Sequence, residues 1–210
     1  DAWYSRISRL TLDGAGRAGT ALYYGPAFSI YNETSDLVFR DCATGLQFGD
    51  ARSQGQAENA VLRCQFIRCG TGLTTVNGNS MDIWVGHGRF EDCGRAIHNV
   101  MGNWHGWESL FLRSRQTDLS SINRMAFSVV NNTSLGSRCC FDFSTGNRVI
   151  DPTGDWAVLL DNAGPYLVVD NQISVFTGAT GSAAGRYEVR GGGRLVVRGV
   201  YHERSSDSLT

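Results

Sequence analysis

Apolar residues recur along this chain in short alternating runs, never at a sustained 3.6-residue step. Ala60-Val-Leu62, Met81-Asp-Ile-Trp84 and Phe127-Ser-Val-Val130 are examples, bounded by Gly, Asn, Ser or Asp. Runs of this kind predict strands rather than helices. A longer period is laid over the short one. The segments Phe39-Arg-Asp-Cys42-Ala-Thr-Gly-Leu46, Phe66-Ile-Arg-Cys69-Gly-Thr-Gly-Leu73 and Phe90-Glu-Asp-Cys93-Gly-Arg-Ala-Ile97 align without gaps. Phe111-Leu-Arg-Ser114 leads to Leu119 after one inserted residue. The four phenylalanines stand 27, 24 and 21 residues apart. A fifth copy, Thr133 to Phe141, keeps Ser137 at the Cys position and Phe141 at the Leu position, and a partial earlier copy ends at Leu22-Tyr-Tyr24.

About three short strands fit in each period, so one period makes one coil and the coils stack. A single coil cannot bury its inward side chains alone; stacking places like on like at the ~4.8 Å interstrand spacing. Phe39, Phe66, Phe90 and Phe111 are then predicted to form one internal ladder. Leu22, Leu46, Leu73, Ile97, Leu119 and Phe141 form a second; Cys42, Cys69 and Cys93, continued by Ser114 and Ser137, form a third. A β-sandwich also has many short strands, but does not explain a Phe-x2-Cys-x3-Leu repeat.

On these residues the chain resembles the pectin lyase-like superfamily, which implies an all-β fold: a single-stranded right-handed parallel β-helix of about 24 residues per coil. The repeat is clear over 6–145. Over 146–210 it is less regular and is carried by Trp156-Ala-Val-Leu-Leu160, Tyr166-Leu-Val-Val169 and Arg194-Leu-Val-Val-Arg-Gly-Val200. The expectation is one β-helix domain over 1–210, cut from a longer chain. The resemblance also implies an extracellular or cell-surface location.

Composition narrows the function. Three Pro against 26 Gly suit tight turns between strands. All 19 basic residues are Arg, which excludes a lysine-based mechanism. A net charge of −1 argues against a nucleic-acid binder, and no apolar run is long enough to insert in a membrane. The even count of six Cys permits disulfides, yet three of them follow the repeat, which points to packing. No zinc-ligand spacing, P-loop or GxSxG elbow occurs, no acidic cluster resembles a Ca²⁺ cage, and no cofactor is expected.

In superfamily members the strand starting at the Gly-Leu position carries the substrate groove. With Leu46, Leu73, Ile97, Leu119 and Phe141 inward, the next residues point outward: Tyr23, Gln47, Thr74, His98, Ser120 and Asp142. The following turns add Asp50 and Arg52, Asn77 and Asn79, Asn103, Trp104 and His105, and Arg124. A polar face is also what a wetted sheet surface shows, but His98, Trp104 and His105 are denser than solvation requires. Trp104 with Trp107 is the expected aromatic platform for a sugar. Arg52 and Arg124 are the expected partners of uronate carboxylates.

Two functions follow. One is a polysaccharide lyase or glycoside hydrolase on an acidic polysaccharide. It would use His98, His105, Asp142 and Arg124 for chemistry, and Trp104, Trp107, Asp50, Arg52, Asn103, Gln47 and Tyr23 for binding. Hydrolysis needs two carboxyl groups; Asp142 and Asp118 are the only pair the repeat offers. Asp41 and Asp92 share a phase that reads as turn rather than catalyst. Gly86-His87-Gly88 resembles a motif of the β-helix hydrolases but is out of phase with the groove strand, so His87 reads as a turn residue. The other function is non-catalytic: an adhesin, surface spine or phage-tail segment that binds glycan or spans distance. The oligomeric state is left open.

Overall fold

A computed structural model describes residues 2–17, 19–122, 127–137, 139–144, 156–161, 167–170, 173–177, 186–190, 195–199 and 201–205. No described residue is helical. Apart from a two-stranded pair, Ala2–Trp3 with Ser29–Ile30, the strands form three eight-stranded parallel sheets. The chain visits the three in turn and returns to the first one coil higher. The fold is the expected right-handed parallel β-helix.

Each sheet is named here by its characteristic side chain. The Phe sheet includes Val38–Arg40, Gln65–Ile67, Arg89–Glu91, Leu110–Leu112 and Thr133–Ser137. The Leu sheet includes Thr20–Tyr24, Thr44–Phe48, Thr71–Thr75, Arg95–Asn99, Thr117–Ser121 and Phe141–Ser144. The Trp sheet includes Glu33–Ser35, Ala60–Leu62, Ile83–Gly86, Trp104–Trp107 and Phe127–Val130. Of the less regular runs, Trp156–Asp161 extends the Leu sheet, while Leu167–Asp170 and Leu195–Arg198 extend the Trp sheet.

All three expected ladders are present. Phe39, Phe66, Phe90 and Phe111 pair in register. Their rings stack 4.7, 4.7 and 5.2 Å apart, within 15° of parallel. Leu22, Leu46, Leu73, Ile97, Leu119 and Phe141 pair in one column. Cys42, Cys69 and Cys93 are buried free thiols, as are Cys64, Cys139 and Cys140, so the cysteines pack rather than staple. Asn32 and Asn59 form an internal amide ladder, the side-chain N–H of Asn32 donating to Asn59 Oδ1 at 2.9 Å. This satisfies polar groups at a corner that an apolar side chain would leave unpaired.

The sheets meet at corners held by residues in the left-handed region. Arg9, Asp36, Arg63, His87, Glu108 and Asn131 occupy the Trp-to-Phe corner, and Asp41, Arg68, Asp92 and Arg113 the Phe-to-Leu corner. Tyr4, Tyr31, Glu58 and Asp82 precede the Trp sheet, and all fourteen have φ between 48° and 59°. His87, Asp41 and Asp92 are thus turn residues, as their phase implied. Non-glycine residues at positive φ carry strain. Here the same corner repeats in every coil, and the outward side chains cross-link. Arg40 reaches Asp13, Arg63 reaches Asp36, Arg68 reaches Asp41 and Arg113 reaches Asp92, at 2.6–2.8 Å.

Candidate functional site on the Trp sheet

The outward side chains of the Trp sheet include Trp84, in register with Ala60 on one side and His105 on the other, and then Ser128. The His105 ring stacks on Trp84 at 4.6 Å. Two polar contacts fix that ring: Nδ1 lies 3.0 Å from Ser128 Oγ, and Nε2 lies 3.2 Å from Asp82 Oδ1. The indole N–H of Trp84 points to Glu58 Oε2 at 3.4 Å. With the small side chain of Ala60 in register on the preceding coil, Trp84 stays 40% exposed.

Two positions further along the strand, Trp107 stands in register with Gly86. A Cβ at position 86 would fall 2.3 Å from the Trp107 ring, so glycine there lets the indole lie across the preceding coil. Trp107 meets Trp84 edge-on at 6.4 Å and His87 at 6.3 Å. His87 Nδ1 sits 3.2 Å from Glu108 Oε2. The result is a strip of four rings, Trp84, His105, Trp107 and His87, bordered by Glu58 and Asp82 at one corner and Glu108 at the other. Asn103 donates to Asp82 Oδ1 at 3.2 Å and so braces that carboxylate.

Trp104 is a correction. It pairs with Ile83 on the inner side of the sheet and is 0% exposed. Its ring passes over Gly106, where a Cβ would come within 2.8 Å. The expected Trp104–Trp107 platform therefore does not form, and Trp84, which sequence reasoning missed, takes the outward place. The signal was available: Trp84 precedes Phe90 by the same step as His105 precedes Phe111, so the two belong to one column.

The other expected residues lie on the Leu sheet and form two further groups. Tyr23, Gln47, Asp50 and Arg52 are brought together. The Tyr23 hydroxyl donates to Asp50 Oδ2 at 2.6 Å, and the Arg52 backbone N–H donates to Asp50 Oδ1 at 2.7 Å. These bonds, Tyr23 first, hold the Asp50 carboxyl below the usual carboxylate range. Gln47 bonds to the Gly49 carbonyl at 2.9 Å and is in register with Tyr23. Asn77 donates to the carbonyls of Asp50 and Ser53, which makes it a brace for this loop.

The second group is His98, Ser120 and Asp142, one column on successive coils. His98 Nδ1 lies 2.7 Å from Ser120 Oγ. Burial, helped by the charge of Arg95, pushes the His98 pKa down to about 4, so the ring is neutral near pH 7. A hydrogen-bonded Ser–His pair is the start of nucleophilic catalysis. Here Thr74, Ser120 and Asp142 are only 7, 3 and 2% exposed, so this face is not an open groove. Nor does Asp118 complete an acid pair. It points into the coil, where Ser137 Oγ donates to its Oδ1 at 2.5 Å and burial pushes its pKa up to about 6. Asp118 and Asp142 thus lie on opposite sides of the Leu sheet. Arg124 lies outside the described residues.

His98 and His105 therefore stand on different sheets and do not form one centre. Among the described residues no group of three His, Cys, Asp or Glu side chains is arranged to hold a metal ion. What the structure shares with the expectation is the fold, a parallel β-solenoid. Compared with known proteins, the chain matches no family model, no curated protein and no solved structure.

Proposed function

We propose that this β-helix is a glycan-binding module that holds a sugar chain against the outer face of the Trp sheet without cleaving it, as an adhesin, surface spine or tail segment would. The observation that carries this is the Trp84–His105–Trp107 strip, with Trp84 exposed, His105 and Trp107 half-buried, and carboxylates along its edges. Sugar rings offer an apolar face to an aromatic plane and hydroxyls to flanking acceptors. The strip is built on stacked strands, which pre-organises it and lowers the entropy lost on binding. Asp118 and Asp142 are both buried, which favours binding over hydrolysis by that pair. A polysaccharide partner accords with an extracellular or cell-surface location.

Titration with a panel of neutral, acidic and amino-sugar oligomers, read by tryptophan fluorescence, tests the reading. Trp84→Ala is expected to weaken the best ligand about tenfold, equivalent to ~1.4 kcal/mol. Binding that is indifferent to Trp84→Ala and Trp107→Ala places the ligand elsewhere and defeats the proposal.

One observation favours a second reading, hydrolysis at this same face. Glu58 and Asp82 occupy one corner on successive coils, which supplies the two carboxyl groups that glycoside hydrolysis requires. Release of reducing ends from any panel member, lost in Glu58→Gln, would establish that reading over simple binding.

A further inference from the structure

Among the described residues, some surface acids meet an arginine side chain and others do not. Glu33, Asp13, Asp36, Asp41, Glu91 and Asp92 each contact an arginine side chain. The three acids that border the aromatic strip do not. Glu58 accepts the Trp84 indole N–H, Asp82 meets Asn103 and His105, and Glu108 meets His87. All 19 basic residues are Arg, and the same corners elsewhere place Arg beside Asp coil after coil. At the strip, as at Asp50, which accepts from Tyr23 and the Arg52 backbone, that pairing is absent.

The chemical consequence is specific. Three carboxylates face solvent around π-faces, which are themselves electron-rich and attract cations. None of their contacts is to an arginine, so no permanent positive charge offsets them, which disfavours an incoming anion. The likeness used above implies a uronate-bearing chain, whose carboxylates would meet Glu58, Asp82 and Glu108 with no guanidinium fork between them.

Building on the sugar-binding reading, we infer that the strip selects a polymer of amino sugars whose amines are free and protonated. The ring faces of such a chain rest on Trp84 and Trp107. Its ammonium groups pair with Glu58 and Asp82 at one corner and Glu108 at the other, and lie within reach of the indole faces. A cationic peptide satisfies the charges but not the flat apolar faces, which makes the sugar the better match to a strip with both features.

The test uses the full chain near neutral pH and isothermal titration. The ligands are β-linked glucosamine oligomers, the same oligomers N-acetylated, galacturonate oligomers and oligolysine of equal charge. The free-amine sugar is expected to bind about tenfold or more tightly than its acetylated form, with the advantage shrinking as salt screens the charges. Glu58→Gln and Glu108→Gln, alone and together, should erase the preference while the acetylated sugar still binds. Both residues are exposed, and an unchanged thermal unfolding curve would show that the variants fold. Equal affinity for free and acetylated oligomers, or tighter binding of galacturonate, overturns the charge selection yet leaves sugar binding standing. Oligolysine binding as tightly as the amino sugar overturns the assignment to a sugar amine. Absence of binding to every sugar overturns both this inference and the reading beneath it.

Discussion

Coils between Val38 and Leu112 and the coils that follow, through Phe143, use the same backbone register but fill it oppositely. In the first region the Phe column carries four stacked rings. One coil later the partner of Phe111 is Ser134. The Cys column becomes Ser114 and Ser137, and both are buried. A third column shows why the change is tolerated. Gly45, Gly72 and Ala96 stand beside the Phe rings; a Cβ on Gly45 would come within 2.8 Å of Phe66, and one on Gly72 within 2.9 Å of Phe90. The next member of that column is Asp118, and the ring it would have faced is Ser134. A small residue beside a large ring is exchanged for a larger residue beside a small one. Large and small side chains trade places between these two columns, and at this position the chemistry turns from apolar to polar.

The largest expected effect lies in the apolar region. Phe66 is fully buried between two stacked rings. Phe66→Ala should cost about 3–5 kcal/mol in denaturant unfolding, from lost transfer energy plus a cavity. Ser134→Ala, at the polar end of the same column, should cost far less. Equal losses would mean that the two regions do not differ as argued.

Exchange of volume is tested by recreating the first region inside the second. Ser134→Phe alone drives a ring into the space Asp118 fills and should cost about 2–3 kcal/mol. With Asp118→Ala added, the site has the Ala96–Phe111 pairing, and a coupling of about 1–2 kcal/mol should be recovered in the double-mutant cycle. Additive losses would show that the columns do not exchange volume.

The ladders were readable in the sequence because an internal column accepts only a side chain of like size and polarity. Phe39, Phe66, Phe90 and Phe111 therefore announce themselves at each step. The outer columns were not. Between Asn99 and Trp104 the chain passes the corner at Gly102, at φ 97°, which resets the in–out alternation. Taking Trp104 and His105 as part of the turn after the His98 strand, when they open the next strand, put them in the wrong setting. An outer position also tolerates many residue types, so Ala60, Trp84, His105 and Ser128 share a column without resembling one another. The positive-φ corners were hidden for a different reason: Arg and Glu are not residues from which a left-handed turn is read.

Buried charge gives the next effect in size. Burial raises the Asp118 pKa to about 6 in the fold, against an ordinary value of 3.8. The folded protein therefore binds more protons between these values, and the favourable contribution is complete below 3.8 and lost as pH rises through 6. His98 acts in the opposite sense. Its pKa falls from 6.5 to about 4, so the unfolded chain takes up the proton and stability drops as pH falls across that range. The informative quantity is thus the difference between Asp118→Asn and the parent chain. At pH 8 the variant should be more stable by about 1–2 kcal/mol, the relief of a buried carboxylate less some hydrogen bonding from Ser137. Near pH 4, where the parent carboxyl is protonated, the two unfolding free energies should converge. A constant difference across the range would show that Asp118 does not titrate as its burial requires.

The smallest effect separates the interior from its outer stitching. The coils on the apolar side also carry the alternating corner Asp41–Arg68–Asp92–Arg113, and their ion pairs offer a rival explanation for any extra stability. Arg113 stands where the two regions meet and makes the densest of these contacts, to Asp92 at 2.8 and 2.9 Å and to Glu91 at 2.6 Å. Its side chain is still 43% exposed, so water and salt screen the pair. Arg113→Gln should therefore cost less than about 1 kcal/mol, and less again at high ionic strength. If it instead rivals Phe66→Ala, the stability of the first region resides in its charged corners and the filling of its interior is secondary. The physical grounds for expecting otherwise are that stacked rings leave water entirely on folding, whereas a corner arginine exchanges one solvated partner for another.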